Sequence, residues 1–599
     1  MRPRQSSWKW LLAVLLALIA VGLASLLLRH ARTTSDLRGR VVASLSEWTG
    51  GTVTLAEPLL IRYFPPSIEG GLTVTGAAKL PAVESIAAPS FRLTLSLPEL
   101  LLGSIKFNAL RLDKPALTLK SDASTGSADA VFARLTAFLA DAPLQTVRIR
   151  GGKAGPPQGA PLLSAVDVRL NTSGQSGAVE THGSFNFNGE SVTFSFDRGK
   201  FVGNDEKRSA PVAIKVTSAP LTARFSGTLH VADALEGEGN LEAKLPDIRR
   251  FLRWTGVVLP EGDSLKDASA SGRVHWAGAT LTFDDGTFDF DGNQAVGLLA
   301  ITAGPRPRLD GTLAFEHLTL DPYLPDLEPD ASRKHLFDWV LLKHLDADLR
   351  VSAAELTAQG LKLGQGGFTI NAKNGKISNE IGALELCGGE AEGRLDLDLS
   401  APRSEASLSG TLANVALTNC LRSLGLDVPV KGSGTLNADI STGGTTREEL
   451  IRGLAGTIKV SAADGSLPVD LAALLAKPDA EASGWSQKTG TDYSALDAAC
   501  SLSAGHLWCQ SFDLVTDKGA ITGAGGLDIA QQTLDWNFRM ADPDAPADPP
   551  ESVSKSQPRI TMNGTLSVPL IARAIHPAPR TGASTQETQI NGAPRVDSP

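Results

Sequence analysis

Histidine, cysteine and tyrosine are scarce in this 599-residue chain, with 9, 4 and 3 copies. Their scarcity removes most ways of building a catalytic or metal centre. There is no CxxC, GxSxG or Walker-type stretch, and Gly523-Ala524-Gly525-Gly526 stops short of GxGxxG because Leu527-Asp528 follow. That glycine run reads more simply as a turn between strands. His335 and Asp338 come nearest to metal-ligand spacing, at i and i+3 on one expected helix, but no third ligand accompanies them. Asp284-Asp285-Gly286 lacks spaced oxygen ligands, and Asp289-Phe290-Asp291-Gly292 lacks the leading Asp and closing Glu of a calcium loop, so both read as hairpin turns. Trp254 and Trp339 fit core aromatics on short helices. Net charge is −9 and the basic residues are dispersed, which excludes a nucleic-acid footprint. The expectation is a non-enzymatic protein with no catalytic residue, no cofactor and no metal.

Long apolar runs are also missing, with one exception at Trp10–Leu28 (WLLAVLLALIAVGLASLLL). A helix of that length rises about 28 Å, close to the roughly 30 Å of bilayer hydrocarbon, so it suits a single-pass anchor. Arg2, Arg4 and Lys9 precede it, and Arg29, Arg32, Arg38 and Arg40 follow it. The flanking charges nearly balance, so an N-terminus in the cytoplasm rests on the export signal. A cleaved signal peptide with Gly22-Leu23-Ala24 as its small-x-small site is the competing reading, but the apolar run continues four residues past Ala24.

What is abundant is turn chemistry: 59 glycines and 35 prolines among short alternating runs of Leu, Val and Thr. Ser35 to Trp48 has apolar positions at Leu37, Val41, Val42 and Leu45, consistent with a helix capped by Ser35 and ended at Gly50-Gly51. From Thr52 onward the period becomes 2, as in Arg92-Leu93-Thr94-Leu95-Ser96-Leu97 and Arg394–Leu399. Asn188-Gly189 predicts a type I′ hairpin that sets Phe185 opposite Val192 and puts Phe185, Phe187, Phe194 and Phe196 on one face. Further alternating segments run through 221–231, 239–245, 270–290, 297–301, 311–320 and 349–399, with a last strand at 560–566. Short amphipathic helices are expected at Ala128–Ala140, Ile248–Trp254, Arg333–Leu345 and Arg447–Leu454. The fold class is therefore mainly β: an N-terminal transmembrane helix, then an elongated, curved antiparallel sheet, trough-like or β-solenoid-like, with a few capping helices. The expected division is 1–9 cytoplasmic, 10–28 membrane, 29–50 juxtamembrane helix, 51–345 and 346–574 two β-regions, with a mobile Pro-rich loop at 541–557 and a disordered tail at 575–599.

Four cysteines, Cys387, Cys420, Cys500 and Cys509, allow three pairings. If Ala504-Gly505 is a two-residue turn, Cys500 faces Cys509 in a non-hydrogen-bonded pair that suits a disulfide. A type I turn with a bulge would oppose Cys500 to Trp508 instead, and four buried thiols remain the plain alternative.

The stretch Val42 to Lys120 resembles the AsmA family, in the helix ending Trp48-Thr49-Gly50-Gly51-Thr52-Val53, the Leu59–Pro66 strand ending in proline, Leu93–Leu97, Leu100–Ile105 and Leu110–Pro115. Gly388-Gly389 with Gly393–Leu397, Lys431–Gly434, Leu454–Ile458 and Asp464–Leu471 are similar to the same family's closing region. Cys387 stands where the family pattern would place tyrosine or another large residue. Membership implies a periplasmic protein anchored in the inner membrane of a Gram-negative bacterium, with a β-trough associated with phospholipid movement and outer-membrane assembly. Such a surface needs no catalytic group. Its partners would be phospholipid acyl chains; the alternative is a periplasmic scaffold or assembly factor for outer-membrane proteins, which would bind envelope proteins through sheet edges. Leu93, Leu95, Leu97, Phe185, Phe187, Phe194 and Phe196 are the candidate lipid-facing residues, lining a trough if it is open and packing a core if it is shut.

Overall fold

A computed structural model describes residues 34–574 except 81, 97–98, 100–105, 121–143, 174–176, 204–207, 232–234, 260–263, 324–343, 359–360, 402, 424–427, 429, 472–473, 475–480, 486–489 and 541–558. The Trp10–Leu28 run, Leu97, the expected helix 128–140, the Pro-rich loop and the tail lie outside them, as does nearly all of 333–345. No helix among the described residues is long and apolar enough to cross a membrane.

The chain divides into two compact units, 1–323 with 337–351, and 324–336 with 352–599. The first unit opens with helix α1 (Thr34–Thr49), then β1 (Thr52–Tyr63), β2 (Pro66–Thr75), β3 (Val83–Leu95), β4 (Phe107–Asp113) and β5 (Ala116–Leu119). It continues through β6 (Thr146–Gly155), β7 (Leu163–Thr172), β8 (Val179–Phe187), β9 (Glu190–Arg198), β10 (Val202–Gly203), β11 (Arg208–Thr217), β12 (Thr222–Val231) and β13 (Leu235–Leu245). After α2 (Ile248–Trp254) come β14 (Ala268–Ala277), β15 (Thr280–Phe290), β16 (Asn293–Thr302) and β17 (Arg308–Thr319). The boundary between the units falls within β18 (Asp346–Ala358). The second unit then runs β19 (Leu361–Leu363), β20 (Gly366–Lys373), β21 (Lys376–Leu386), β22 (Gly389–Asp398), β23 (Ser404–Ala416), α3 (Leu417–Ser423), β24 (Lys431–Gly444) and α4 (Arg447–Gly453). It finishes with β25 (Ala455–Leu467), β26 (Glu481–Ser483), β27 (Thr491–Ser503), β28 (His506–Thr516), β29 (Gly519–Asp528), β30 (Thr533–Met540), β31 (Arg559–Thr565) and β32 (Pro569–Ala574). The protein is mainly β, as the alternation predicts.

Nearly every strand pairs antiparallel with its chain neighbour. The exception corrects the expected all-antiparallel sheet: β6 runs parallel to β4 and β5, with Leu110 beside Val147 and Leu117 beside Ala154. A parallel neighbour needs a long crossover, and residues 120–145 supply the length. Turn chemistry sets much of the remaining register. Asn188 and Gly189 take φ +44° and +84°, the left-handed values of a type I′ turn, and Phe185 faces Val192. Ala504 and Gly505 do the same at +50° and +80°, so Cys500 faces Cys509 and the two form a disulfide.

Several glycine and acidic stretches read differently in three dimensions. Gly523–Gly526 is no turn but the middle of β29, because rings occupy the space that side chains would take: Phe538 over Gly523, Trp536 over Gly525 and Trp508 beside Gly526. Asp284-Asp285-Gly286 likewise lies inside β15, at a bulge between Phe283 and Gly286, whereas Asp291-Gly292 does turn, at φ +52° and +84°. β1 ends before Pro66, which instead starts β2 after a turn at Phe64-Pro65, and a strand beyond Pro569 pairs back with β26. Helix α3 carries no capping signal in the sequence.

A closed core of the first unit lies at its N-terminal end, and Leu229, Val274, Phe283 and Phe288 are also fully buried further along the sheet. Val41, Leu45 and Trp48 on one face of α1 pack against Val53, Leu55, Ile68, Phe91, Leu93, Leu95, Leu110 and Leu144. Gly50 at φ +69° ends the helix, and its amide donates to the Ser46 carbonyl at 2.7 Å. The second unit closes around Leu496, Leu514, Ile521, Phe538, Ile560 and Ile571, with Val469 and Leu471 packed against them. Thr491 pins that segment: its hydroxyl donates to the Val469 carbonyl at 2.7 Å and accepts from the Leu471 amide at 2.9 Å.

Candidate functional site

Successive residues of a strand point to opposite faces, so the pairing register decides whether each strand's apolar side joins its neighbour's. In the first unit it does so without a break. Phe91 faces Leu112, then Ile149, Val168, Gly183 and Phe194 in turn. The row goes on through Val216, Ala223, Ala243, Ala270, Phe288, Ala295 and Phe315. Two positions along, a second row crosses from Ile61 through Ile68, Leu93, Leu110, Val147 and Leu170. It continues by Thr181, Phe196, Ile214, Phe225 and Leu241. Thr181 is its one polar member, and its hydroxyl has no hydrogen-bond partner. The opposite face is polar, as in Ser195, Lys215, Arg224, Glu242, Ser271 and Thr287.

The second unit repeats the arrangement. One row runs Phe368, Ile381, Gly393, Gly410, Ala438, Ile458, Cys500, Cys509, Gly525, Trp536, Met562 and Ile571. The disulfide thus lies within the apolar face. Beside it Leu395 faces Leu408, which faces Ile440. The polar face pairs its charges among themselves: Arg394 with Asp396 at 2.7 Å and Lys376 with Asp398 at 3.0 Å. Hydrogen bonds from the Ser400 hydroxyl and amide, with Lys376 nearby, pull the Asp398 carboxyl down to about 2. Such a group is fully ionised near neutrality and offers no proton.

Exposure sorts the candidates. Leu93 and Leu95 are buried in the core beneath α1, so they pack that cluster instead of lining an open surface. Phe187 is half-buried against α2: Trp254 packs edge-on at 5.5 Å and its indole donates to the Phe187 carbonyl at 2.7 Å, while Arg250 pairs with Glu190 at 2.8 Å. Phe185, Phe194 and Phe196 share a face and remain half-buried, with Phe185 and Phe194 5.9 Å apart. In the second unit the apolar face is most open over β22–β25. There Leu408 is 40% exposed and Leu395, Leu436, Ile440 and Ile458 are half-buried. No residue of that stretch was singled out from sequence; the alternation of 394–399 marked the strand but not its openness.

Arg198 is buried in the first unit's apolar face, opposite Val212. Its guanidinium donates to the Gly177 carbonyl at 2.7 Å and lies 4.4 Å from the centre of the Phe201 ring. Desolvation, then the charge on Arg208, lowers its pKa. Among the described residues no cluster of His, Cys, Asp and Glu could hold a metal ion.

Folded this way, the chain is a mainly β protein in which the strand register gathers apolar residues on one face of the sheet in each unit. Residues 329–512, about a third of the chain, match the AsmA family. The N-terminal resemblance over Val42–Lys120 lies outside the matched segment. A comparison with curated proteins found no match.

Proposed function

We propose that this protein is a non-enzymatic cell-envelope component that shelters phospholipid acyl chains on the apolar face of its sheets. In this reading the Trp10–Leu28 run anchors it in the bacterial inner membrane with the bulk in the periplasm. It carries lipid between inner and outer membranes in support of outer-membrane biogenesis. One observation carries the reading: the uninterrupted apolar rows that the strand register assembles from Phe91 to Phe315 and from Phe368 to Ile571. Moving a sixteen-carbon chain through water costs about 12 kcal/mol at roughly 0.8 per CH₂. A continuous apolar wall removes most of that barrier at every step, and the polar opposite face keeps the wall soluble. The Cys500–Cys509 bond fits an oxidising compartment. The AsmA match is compatible with an envelope role.

The test places photo-crosslinking amino acids at Phe194 and Leu408, with Val296 on the polar face as control, in the full chain in cells. Phospholipid adducts at the first two positions and none at the third support the reading. Adducts to protein alone would turn it into a scaffold, and no adduct at all would mean that the face is a closed core.

A further inference from the structure

We propose that the turn joining β1 to β2 inserts into the surface of a phospholipid bilayer. Phe64 at its tip is 87% exposed, and Leu60, four residues before it on β1, is 58% exposed, although nearby Val53, Leu55 and Ile68 pack into a closed core. Arg62, two residues before Phe64, keeps 59% of its side chain exposed while pairing with Glu69 at 2.7 Å. An aromatic ring and an aliphatic side chain next to a guanidinium are what a membrane interface favours, since the ring enters the acyl boundary while the cation stays among phosphates.

Position argues for the same occupant. Helix α1 runs away from the N-terminal segment, the chain reverses at Gly50-Gly51, and β1 returns alongside. Arg38 fixes that alignment by donating to Glu57 at 2.8 Å and to the Leu55 carbonyl at 3.0 Å. From that level to the tip, β2 covers five steps between Gly71, opposite Ala56, and Pro66, about 17 Å. From Arg38 back to Thr34 the helix covers four steps, about 6 Å. The tip therefore stands about 10 Å beyond the first residue of α1, past the helix's N-terminal end. The apolar run Trp10–Leu28 ends six residues before Thr34. Six residues reach at most about 20 Å, so a bilayer holding that run would lie within reach of the tip. The apolar row that begins at Ile61 starts two residue pairs from the one that closes this turn. Insertion would therefore place the first member of the row against the bilayer. The inference rests on the membrane anchoring proposed above, not on lipid carriage.

The experiment uses the full chain reconstituted into vesicles of phosphatidylethanolamine and phosphatidylglycerol, with benzoylphenylalanine in place of Phe64. The control substitutes Val258, 73% exposed in the same unit. Both positions lie at the surface, so both variants should keep the wild-type circular dichroism. Burying one aromatic side chain favours the inserted state by roughly 30-fold, so lipid adducts at Phe64 should exceed those at Val258 by about tenfold or more. Equal yields, or adducts to protein only, would overturn the proposal. A parallel variant at Phe194 separates the two ideas. Adducts at Phe194 with none at Phe64 sink insertion and leave carriage standing, and the converse sinks carriage alone.

Discussion

Leu408 and Leu514 are the same residue on the same apolar face of the same unit, yet one is 40% exposed and the other fully buried. Replacing each by Asp should therefore give unlike results. At Leu408 the leucine has buried only about three-fifths of a side chain worth roughly 2 kcal/mol, and the new carboxylate reaches water, so the loss should be about 1 kcal/mol. At Leu514 the whole transfer term is lost and a carboxylate is stranded among Leu496, Ile521 and Phe538, which costs more than about 5 kcal/mol. That is comparable with the whole stability of an ordinary domain, roughly 5–15 kcal/mol. Urea titrations followed by circular dichroism measure the difference. Lipid extracted from gently purified protein gives the second readout: Leu408→Asp should keep the fold and lose bound lipid. If Leu408→Asp unfolds the unit as readily as Leu514→Asp, the strip over β22–β25 is a sealed core and the functional reading fails.

Gly286→Val should cost about 2–4 kcal/mol, because a Cβ there meets the Phe288 ring. Combined with Phe288→Ala the losses should be less than additive, and strict additivity would refute the steric account. Replacing Cys500 and Cys509 by Ser opens a link of sequence separation 9 and should lower stability by about 2–3 kcal/mol; no change in the urea midpoint would count against it. Burial, then the hydrogen bond with Cys387, pushes the Cys420 thiol well above its ordinary value, so it stays protonated at pH 8. Iodoacetamide should label Cys420 quickly only after denaturation, and fast labelling of the native protein would contradict this. The Asp398 carboxyl, held near 2, supports the fold above the ordinary carboxylate value of about 3.9 and loses that support as pH falls through about 2. A carboxyl NMR titration should find its midpoint near 2, and a midpoint near 4 would remove the role given to Ser400.

Local chemistry made some of this architecture readable in advance. The two-residue turn Asn188-Gly189 announces its own register, and the partner of Phe185 follows by counting, whereas Ala504-Gly505 allows Cys509 or Trp508 opposite Cys500 and the fold takes Cys509. Amphipathic spacing located α1, α2 and α4. Glycine carries two meanings that a single chain does not separate. At Gly189 it turns the backbone; at Gly523 and Gly525 it leaves room for Phe538 and Trp536, side chains from the next strand. The same limit explains Asp284-Asp285-Gly286, where a bulge in mid-strand has turn-like composition. The candidate surface was legible as a face but not as a place. Alternation puts Leu93, Phe187 and Leu408 on the apolar side alike. Only packing by α1 and by Trp254 withdraws the first two and leaves the third open.

The order of strand partners has a consequence for how such a protein changes length. Since almost every strand leans on the ones before and after it in the chain, a hairpin can be gained or lost with only two seams to be remade, and the register on either side is untouched. A pair of strands adds about 10 Å of width. Within either unit the sheet can therefore widen or narrow by one hairpin through copying or deleting a short stretch of gene.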